Sequence, residues 1–300
     1  MYEQFQVQLP SGEIIKGCHW KAKNPTHNLV LHTGMNEYAA RYEPLAEYLN
    51  EFGINVWVHD AFGQGLNAKS LEELEIWPED GFFKSVDGLA LNVERVKKET
   101  GLPTVLMGFS MGSFMAQSYL ERHPNTADKV IIAGSDGPSK KYGLAKFIAK
   151  LRVNKKNWTK KDKLLSYLCI GNFSSAVKDR KTDVDWLSHD PKVVQAYIDD
   201  PYCGADNTKS FFLGFFTGLA SLYKKKNLAN ISKDEKILVI AGDEDPVGGN
   251  GKGPRKLAKM YQKLGVKDVT LIIYPGQRHE IHNGIGKHKT REDLKDFILK

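Results

Sequence analysis

The stretch Thr104-Val105-Leu106-Met107-Gly108-Phe109-Ser110-Met111-Gly112-Ser113-Phe114-Met115 carries two patterns joined at one serine. Its first half is a short apolar run of the kind that buried central strands show. From Met111 to Arg122 the pattern turns helical. At the junction, Gly108-Phe109-Ser110-Met111-Gly112 matches G-x-S-x-G, with a strand before it and a helix after it, as that motif requires. The requirement is steric. The serine occupies a sharp strand-to-helix turn, and glycine two positions before and after removes side chains that would strike the neighbouring backbone. The turn exposes the Ser110 hydroxyl, and the helix N-terminus favours negative charge beside it. A glycine-rich turn with an incidental serine is the bland alternative, and the flanking elements weigh against it.

Outward from this stretch, apolar β-branched runs recur. Glu3 to Leu9 and Glu13 to Trp20 flank Pro10-Ser11-Gly12, a hairpin signal. Asn28 to His32, Ile54 to His59, Lys129 to Ala133, Lys236 to Ala241 and Val269 to Tyr274 read as further strands. Tyr38 to Phe52, Val86 to Glu99 and Met111 to Arg122 read as helices between them. Such alternation implies a mostly parallel sheet with helices on both faces. It stops after Ile132 and resumes at Lys236. The intervening residues are helical in pattern, rich in Lys and aromatics, and contain no convincing strand. We expect a core of residues 1–138 and 230–300, with residues 139–229 as a helical insertion over the C-terminal ends of the strands. Ligands bind at that edge of open α/β sheets, so the insertion should be a lid.

A serine nucleophile needs a base, and the base needs an orienting acid. In this order of elements the chain order is Ser, acid, His. After the strand at 236–241 comes Gly242-Asp243-Glu244-Asp245-Pro246-Val247, and after the strand at 269–274 comes Pro275-Gly276-Gln277-Arg278-His279-Glu280. Both loops fall on the edge of the sheet that holds Ser110. Asp243, Glu244 and Asp245 compete for the acid; Asp245 lies further into its loop and can fold back, whereas Asp243 suits hydrogen bonds within the loop. His279 competes with His282 and His288, which are expected at or near the last helix as surface residues. Two backbone N–H groups should receive the oxyanion: that of Met111, after the serine, and that of Met35, in the loop His32-Thr33-Gly34-Met35.

Composition narrows the alternatives. With 41% hydrophobic residues and 26% charged, the chain can bury a large core, which excludes disorder. Three scattered cysteines, Cys18, Cys169 and Cys203, are too few for a disulfide framework or a zinc site, so we expect no metal and no cofactor. The N-terminus lacks a basic and an apolar segment of the secretory type, and the longest mostly apolar run, Ser210 to Tyr223, is too short to span a bilayer; a cytoplasmic protein is expected. The net charge of +7 is concentrated: Lys140 to Lys163 holds ten Lys or Arg and one acid, Asp162. A solvated helix face explains such a run, and attraction to an anionic surface is its functional reading. No nucleic-acid-binding motif accompanies it, so a nucleic-acid partner is not expected.

These motifs together resemble the monoglyceride lipase and lysophospholipase group of α/β hydrolases, which is grouped with the serine aminopeptidases. The resemblance covers nearly the whole chain. It runs through Gly34-Met35-Asn36-Glu37 with Arg41-Tyr42, His59-Asp60, Gly108 to Gly112, Asp185-Trp186-Leu187-Ser188, Asp199 to Gly204, Gly242 to Val247 and Gly276 to Glu280. It implies an α/β-hydrolase fold: a mostly parallel eight-stranded sheet flanked by helices, with a helical cap inserted after the sixth strand. It further implies a Ser110, Asp245, His279 triad with Met35 and Met111 as oxyanion donors. Two positions depart from the group, which usually has His where Thr33 stands and Arg where Phe62 stands; the missing Arg should remove an ion pair or hydrogen-bond network near the site. The expected activity is two-step ester hydrolysis on a monoacylglycerol or lysophospholipid. Phe211, Phe212, Phe215 and Phe216 are candidates to line an acyl channel, although cap packing must account for several of them. An anionic membrane surface is a candidate transient partner. Oligomeric state is not legible. Two rival readings are an aminopeptidase of the proline iminopeptidase type, which needs an acidic cluster where this cap is basic, and a non-catalytic relative that binds an acyl ligand.

Overall fold

The computed structural model describes residues 1–171 and 173–300. Eight strands form one sheet in the order β1-β2-β4-β3-β5-β6-β7-β8. The strands are β1 (Glu3–Gln8), β2 (Ile14–Trp20), β3 (His27–His32), β4 (Ile54–His59), β5 (Thr104–Phe109), β6 (Lys129–Ala133), β7 (Lys236–Gly242) and β8 (Asp268–Tyr274). β1 and β2 pair antiparallel, as does β2 with β4, and every later pairing is parallel. This is the α/β-hydrolase architecture that the resemblance implies. The hairpin at Pro10 to Gly12 joins β1 to β2, and every residue of β4 and β5 is buried, as expected of continuous apolar runs inside a parallel sheet.

The core helices are α1 (Glu43–Asn50), α2 (Gly81–Thr100), α3 (Met111–Arg122), α9 (Lys252–Lys263) and α10 (Lys287–Leu299). The helical pattern at Tyr38 to Phe52 resolves into a 3-10 turn, Ala39–Tyr42, followed by α1. Pro44 fits the first turn of α1, where its missing N–H has no intrahelical partner to lose. α2 starts at Gly81, five residues earlier than Val86, and ends on Gly101 in the left-handed region.

Between β6 and β7 the chain forms α4 (Lys141–Arg152), α5 (Lys163–Ser175), α6 (Pro191–Asp199), α7 (Lys209–Leu219) and the short α8 (Lys225–Leu228). Among the described residues here, the only β pairing is a single bridge, Lys161 to Thr208. Asp162 caps α5 by accepting from Leu164 and Leu165 N–H, and it also receives Arg152 Nε at 2.9 Å, tying the end of α4 to the start of α5. α7 packs its aromatic face on the core. Phe211, Phe212, Phe215 and Phe216 are all buried. Phe211 packs edge-on against Trp77 at 4.8 Å and Phe215 against Phe114 of α3 at 6.0 Å. The four therefore form the seam between cap and core. No described helix is long and apolar enough to cross a membrane.

The closeness of that seam is set by Gly218 of α7, where an added Cβ would fall 2.2 Å from the ring of Phe82 in α2. Gly218→Ala should therefore overpack the interface and cost about 1–3 kcal/mol. Gly143 of α4 has nothing within 4 Å of an added Cβ. Gly143→Ala should leave stability unchanged or raise it by about 0.5–1 kcal/mol through helix propensity. Thermal unfolding of the two variants checks the contrast: a fall of several degrees in Tm for the first and none for the second.

Candidate active site

Ser110 has φ 51° and ψ −116°, a backbone conformation that a residue with a side chain adopts only under constraint. The surroundings supply the constraint. Ser110 N–H donates to Ala133 O on β6 at 2.9 Å, and Gly112 N–H donates to Thr33 O at 3.1 Å. A Cβ on Gly108 would lie 2.1 Å from Gly112 O, and one on Gly112 would lie 2.4 Å from His32 O. Both flanking glycines are thus required by backbone contacts that any side chain would break. Half-buried Ser110 stands at the N-terminus of α3, where negative charge is favoured.

β7 and β8 end on the same side as β5, and their loops meet there. His279 Nδ1 and Asp245 Oδ2 lie 2.9 Å apart, with both side chains buried. His279 Nε2 is buried and has no hydrogen-bond partner among the described residues. The imidazole rests on Phe109, at 4.9 Å between ring centroids. Gly134, at the end of β6, closes on it so tightly that an added Cβ would be 3.1 Å from His279 Cε1. Phe109 precedes Ser110 in the chain, so His279 sits directly beside the serine turn. Burial, the largest single influence, opposes protonation of this ring, but the Asp245 carboxylate, with Glu280 and Glu37 adding to it, holds the pKa above its usual 6.5.

The competitors go elsewhere. Asp243 Oδ1 accepts from Gly276 N–H at 2.7 Å, a hydrogen bond between the loops after β7 and β8, and exposed Glu244 pairs with His189 of the cap. His288 is exposed on α10. His282 corrects the expectation of a surface residue: it is 1% exposed, stacked on Tyr42 at 5.1 Å and set edge-on to Phe109 at 4.7 Å. Desolvation, with Arg41 nearby, pushes its pKa down to about 3, so it stays neutral. It packs on Phe109, the ring on which His279 also rests.

The loop after β3 approaches from the other side. A Cβ on Gly34 would lie 3.2 Å from Ser110 Cβ, so the Gly34–Met35 peptide abuts the serine. Met111 is the first residue of α3, and its N–H has no acceptor within the helix. The loop after β3 and the first turn of α3 thus meet at Ser110.

Three features around these residues went unread as functional. First, Glu37 is buried and accepts from Gly34 N–H at 2.6 Å, Tyr42 Oη at 2.7 Å and Arg41 Nη1 at 2.8 Å. Second, the cap segment at Trp186 braces the histidine loop. His279 N–H donates to Trp186 O at 3.4 Å, Glu280 N–H to Leu187 O at 2.7 Å, and Arg278 Nη1 to Asp185 O at 2.8 Å. The Trp186 ring also lies 5.1 Å from that of His279. Third, Phe62 is buried in the core, and a hydrogen-bond network of amides and one carboxyl lies nearby. Gln64 Nε2 donates to Glu75 at 2.9 Å, and Asn207 Nδ2 of the cap reaches Asn36 at 2.8 Å and Glu75 at 3.3 Å. Burial pushes the Glu75 carboxyl up to about 8. Only the shared sequence blocks hinted at the first two, and the third had no sequence signal beyond the absent arginine.

A family model described as serine aminopeptidase, S33, matches residues 23–285. A monoacylglycerol lipase of Mycolicibacterium smegmatis is 24% identical over 282 residues, covering 92% of this chain and 89% of that protein. A human monoglyceride lipase is 25% identical over 288 residues, covering 90% and 81%. Among solved structures, a thermostable carboxyl esterase from Bacillus coagulans superposes with a TM-score of 0.87 at 24% identity, covering 99% of this chain and 98% of that one. A monoglyceride lipase of Saccharomyces cerevisiae superposes with a TM-score of 0.74 at 20% identity, covering 100% and 94%. At these identities the superpositions show a shared fold.

The electrostatics of His279 can be read directly. Its imidazole, followed by NMR, should titrate above 6.5 in the intact protein. In Asp245→Asn the carboxylate is gone and desolvation remains, so the midpoint should fall below 6.5. An unchanged midpoint in the variant would show that Asp245 does not control this ring.

Proposed function

The chain belongs to the serine aminopeptidase S33 family of α/β hydrolases, and within it we propose a serine carboxylic-ester hydrolase acting on monoacylglycerol or lysophospholipid-type esters. In this reading His279 Nε2 takes the Ser110 proton as Oγ attacks the ester carbonyl. Asp245 holds the Nδ1 tautomer and stabilises the imidazolium. Met35 and Met111 N–H groups receive the oxyanion. The leaving alcohol takes the proton from His279, and water repeats the sequence on the acyl-enzyme. The observation that carries the reading is the buried His279–Asp245 pair, which rests on Phe109 next to a serine held in a strained turn and leaves Nε2 without a partner among the described residues.

The substrate class draws support from the lipase relatives and from the cap surface. Leu144, Phe147 and Leu151 on α4, and Leu164, Tyr167 and Leu168 on α5, are exposed. The α4 side chains recur at helical spacing among the lysines of the 140–163 run and the α5 ones follow directly after it, the composition of a face that rests on an anionic lipid interface. In this reading the acyl chain runs toward the aromatic seam of α7, where Phe215 meets Phe114 of α3. An aminopeptidase needs free carboxylates to hold an amine. The buried acids near His279, Glu37 and Glu280, already share one cation, Arg41, with only Glu280 Oε2 left unpartnered among the described residues.

A panel of p-nitrophenyl esters and monoacylglycerols, with a fluorophosphonate probe, tests the chemistry. Ester turnover and labelling should both be present in the wild type, and Ser110→Ala should abolish labelling and lower turnover about 10⁴-fold or more. Labelling that persists in Ser110→Ala would sink the assignment. The surface is tested separately with vesicles of phosphatidylserine and phosphatidylcholine. Cosedimentation should weaken several-fold when Phe147 and Leu151 become Ser, while hydrolysis of a soluble short-chain ester stays the same.

A further inference from the structure

Arg41 stands between two buried carboxylates that belong to opposite halves of the candidate site. Its Nη1 binds Glu37 Oε2 at 2.8 Å and its Nη2 binds Glu280 Oε1 at 2.9 Å. The side chains of Arg41, Glu37 and Glu280 are only 12%, 4% and 2% exposed. Glu37 uses its other oxygen to accept Gly34 N–H, which fixes the Thr33–Gly34 peptide, the one directly before the peptide that carries Met35 N–H beside Ser110. Glu280 directly follows His279. The cap closes the assembly, because Tyr197 of α6 lays its ring 5.0 Å from the Arg41 guanidinium carbon.

We propose that Arg41 is a positioning residue of the reaction, locking the oxyanion loop to the histidine loop by holding Glu37 and Glu280 with separate nitrogens. This rests on the roles assigned above to Ser110, His279 and Asp245. Stability alone does not account for such a trio, because well-packed apolar side chains in place of buried ion pairs are often as stable or more so. What apolar packing does not supply is direction. A guanidinium offers donors in a rigid plane and can hold two carboxylates at a fixed mutual angle; an ammonium is a single point with rotatable donors. Here that angle sets the distance between the Gly34–Met35 peptide and the His279 ring. Both must reach the same tetrahedral centre, and small displacements of reacting groups are expensive in rate.

The cluster also couples to His279 by charge. Asp245, Glu280 and Glu37 each favour the imidazolium. Arg41 faces the same region, as do His282 from the same loop and Arg278, whose guanidinium is occupied by cap carbonyls. Neutralising Glu280 therefore removes one stabiliser of the protonated ring while Asp245 remains.

The test is the pH profile of ester hydrolysis by the full chain, comparing wild type with Arg41→Lys and Glu280→Gln, each checked for folding by circular dichroism and Tm. Arg41→Lys keeps the charge and loses the fork. It should lower kcat about 10–100-fold with KM changed less than about threefold. Glu280→Gln should lower kcat about tenfold and move the acidic limb of kcat/KM to lower pH by roughly half a unit. Folded variants with kcat within about twofold of wild type and an unmoved limb would overturn the role. Should Arg41→Lys not fold, the Glu280→Gln profile decides alone. A folded wild type without ester turnover would overturn the triad reading and this role with it; normal wild-type turnover with indifferent variants overturns this role only.

Discussion

The site depends on one backbone constraint, the left-handed φ of Ser110 at the junction of β5 and α3. A residue with a side chain is held there only when its neighbours leave no alternative. Gly108 and Gly112 allow the strand end and helix start to touch, the hydrogen bond to Ala133 O ties the serine to β6, and the one from Gly112 ties the helix to Thr33. The turn thus binds three adjacent strands at their C-terminal ends. Everything else in the site is arranged around that fixed point: the Gly34 peptide presses against Ser110 from β3, and His279 lies on Phe109 from β8.

Environment, more than residue type, separates the histidines. His32 and His59 are buried side by side on β3 and β4, and His282 is buried behind the site; burial drives the pKa of each down. His279 is buried as completely, and its pKa is raised. The difference is the Asp245 carboxylate at 2.9 Å, with Glu280 and Glu37 adding to it. A neutral ring that can accept a proton near physiological pH needs that offset, because desolvation alone would make it too weak a base.

Much of this was legible in the chain itself. Strands announced themselves because a parallel sheet covered on both faces needs unbroken apolar runs, and 54–59 and 104–109 have them. The acid and the histidine were legible because topology places strand-end loops on one edge, so order along the chain became proximity in space. What stayed hidden depends on contacts that no local pattern encodes. The burial of His282 follows from Tyr42 and Phe109, residues distant in sequence. The Arg41 bridge spans 239 residues to Glu280. The Phe residues of α7 read equally as channel lining or packing, because burial of an aromatic ring looks the same in either case until its neighbours are known.

The backbone brace between residues 185–188 and the histidine loop divides the cap into two mechanical parts. Hydrogen bonds from Arg278, His279 and Glu280 to cap carbonyls make that segment a continuation of the core, even though it lies within the insertion. Lifting it would carry away supports of the imidazole. The seam of α7 is anchored by its buried rings in the same way. The rest of the insertion leans on these two anchors: α4 packs on α7, α4 and α5 are joined through Arg152 and Asp162, and both expose apolar side chains outward. The positive charge of the 140–163 run therefore sits on the part of the insertion that reaches the core through α7 rather than through the histidine loop.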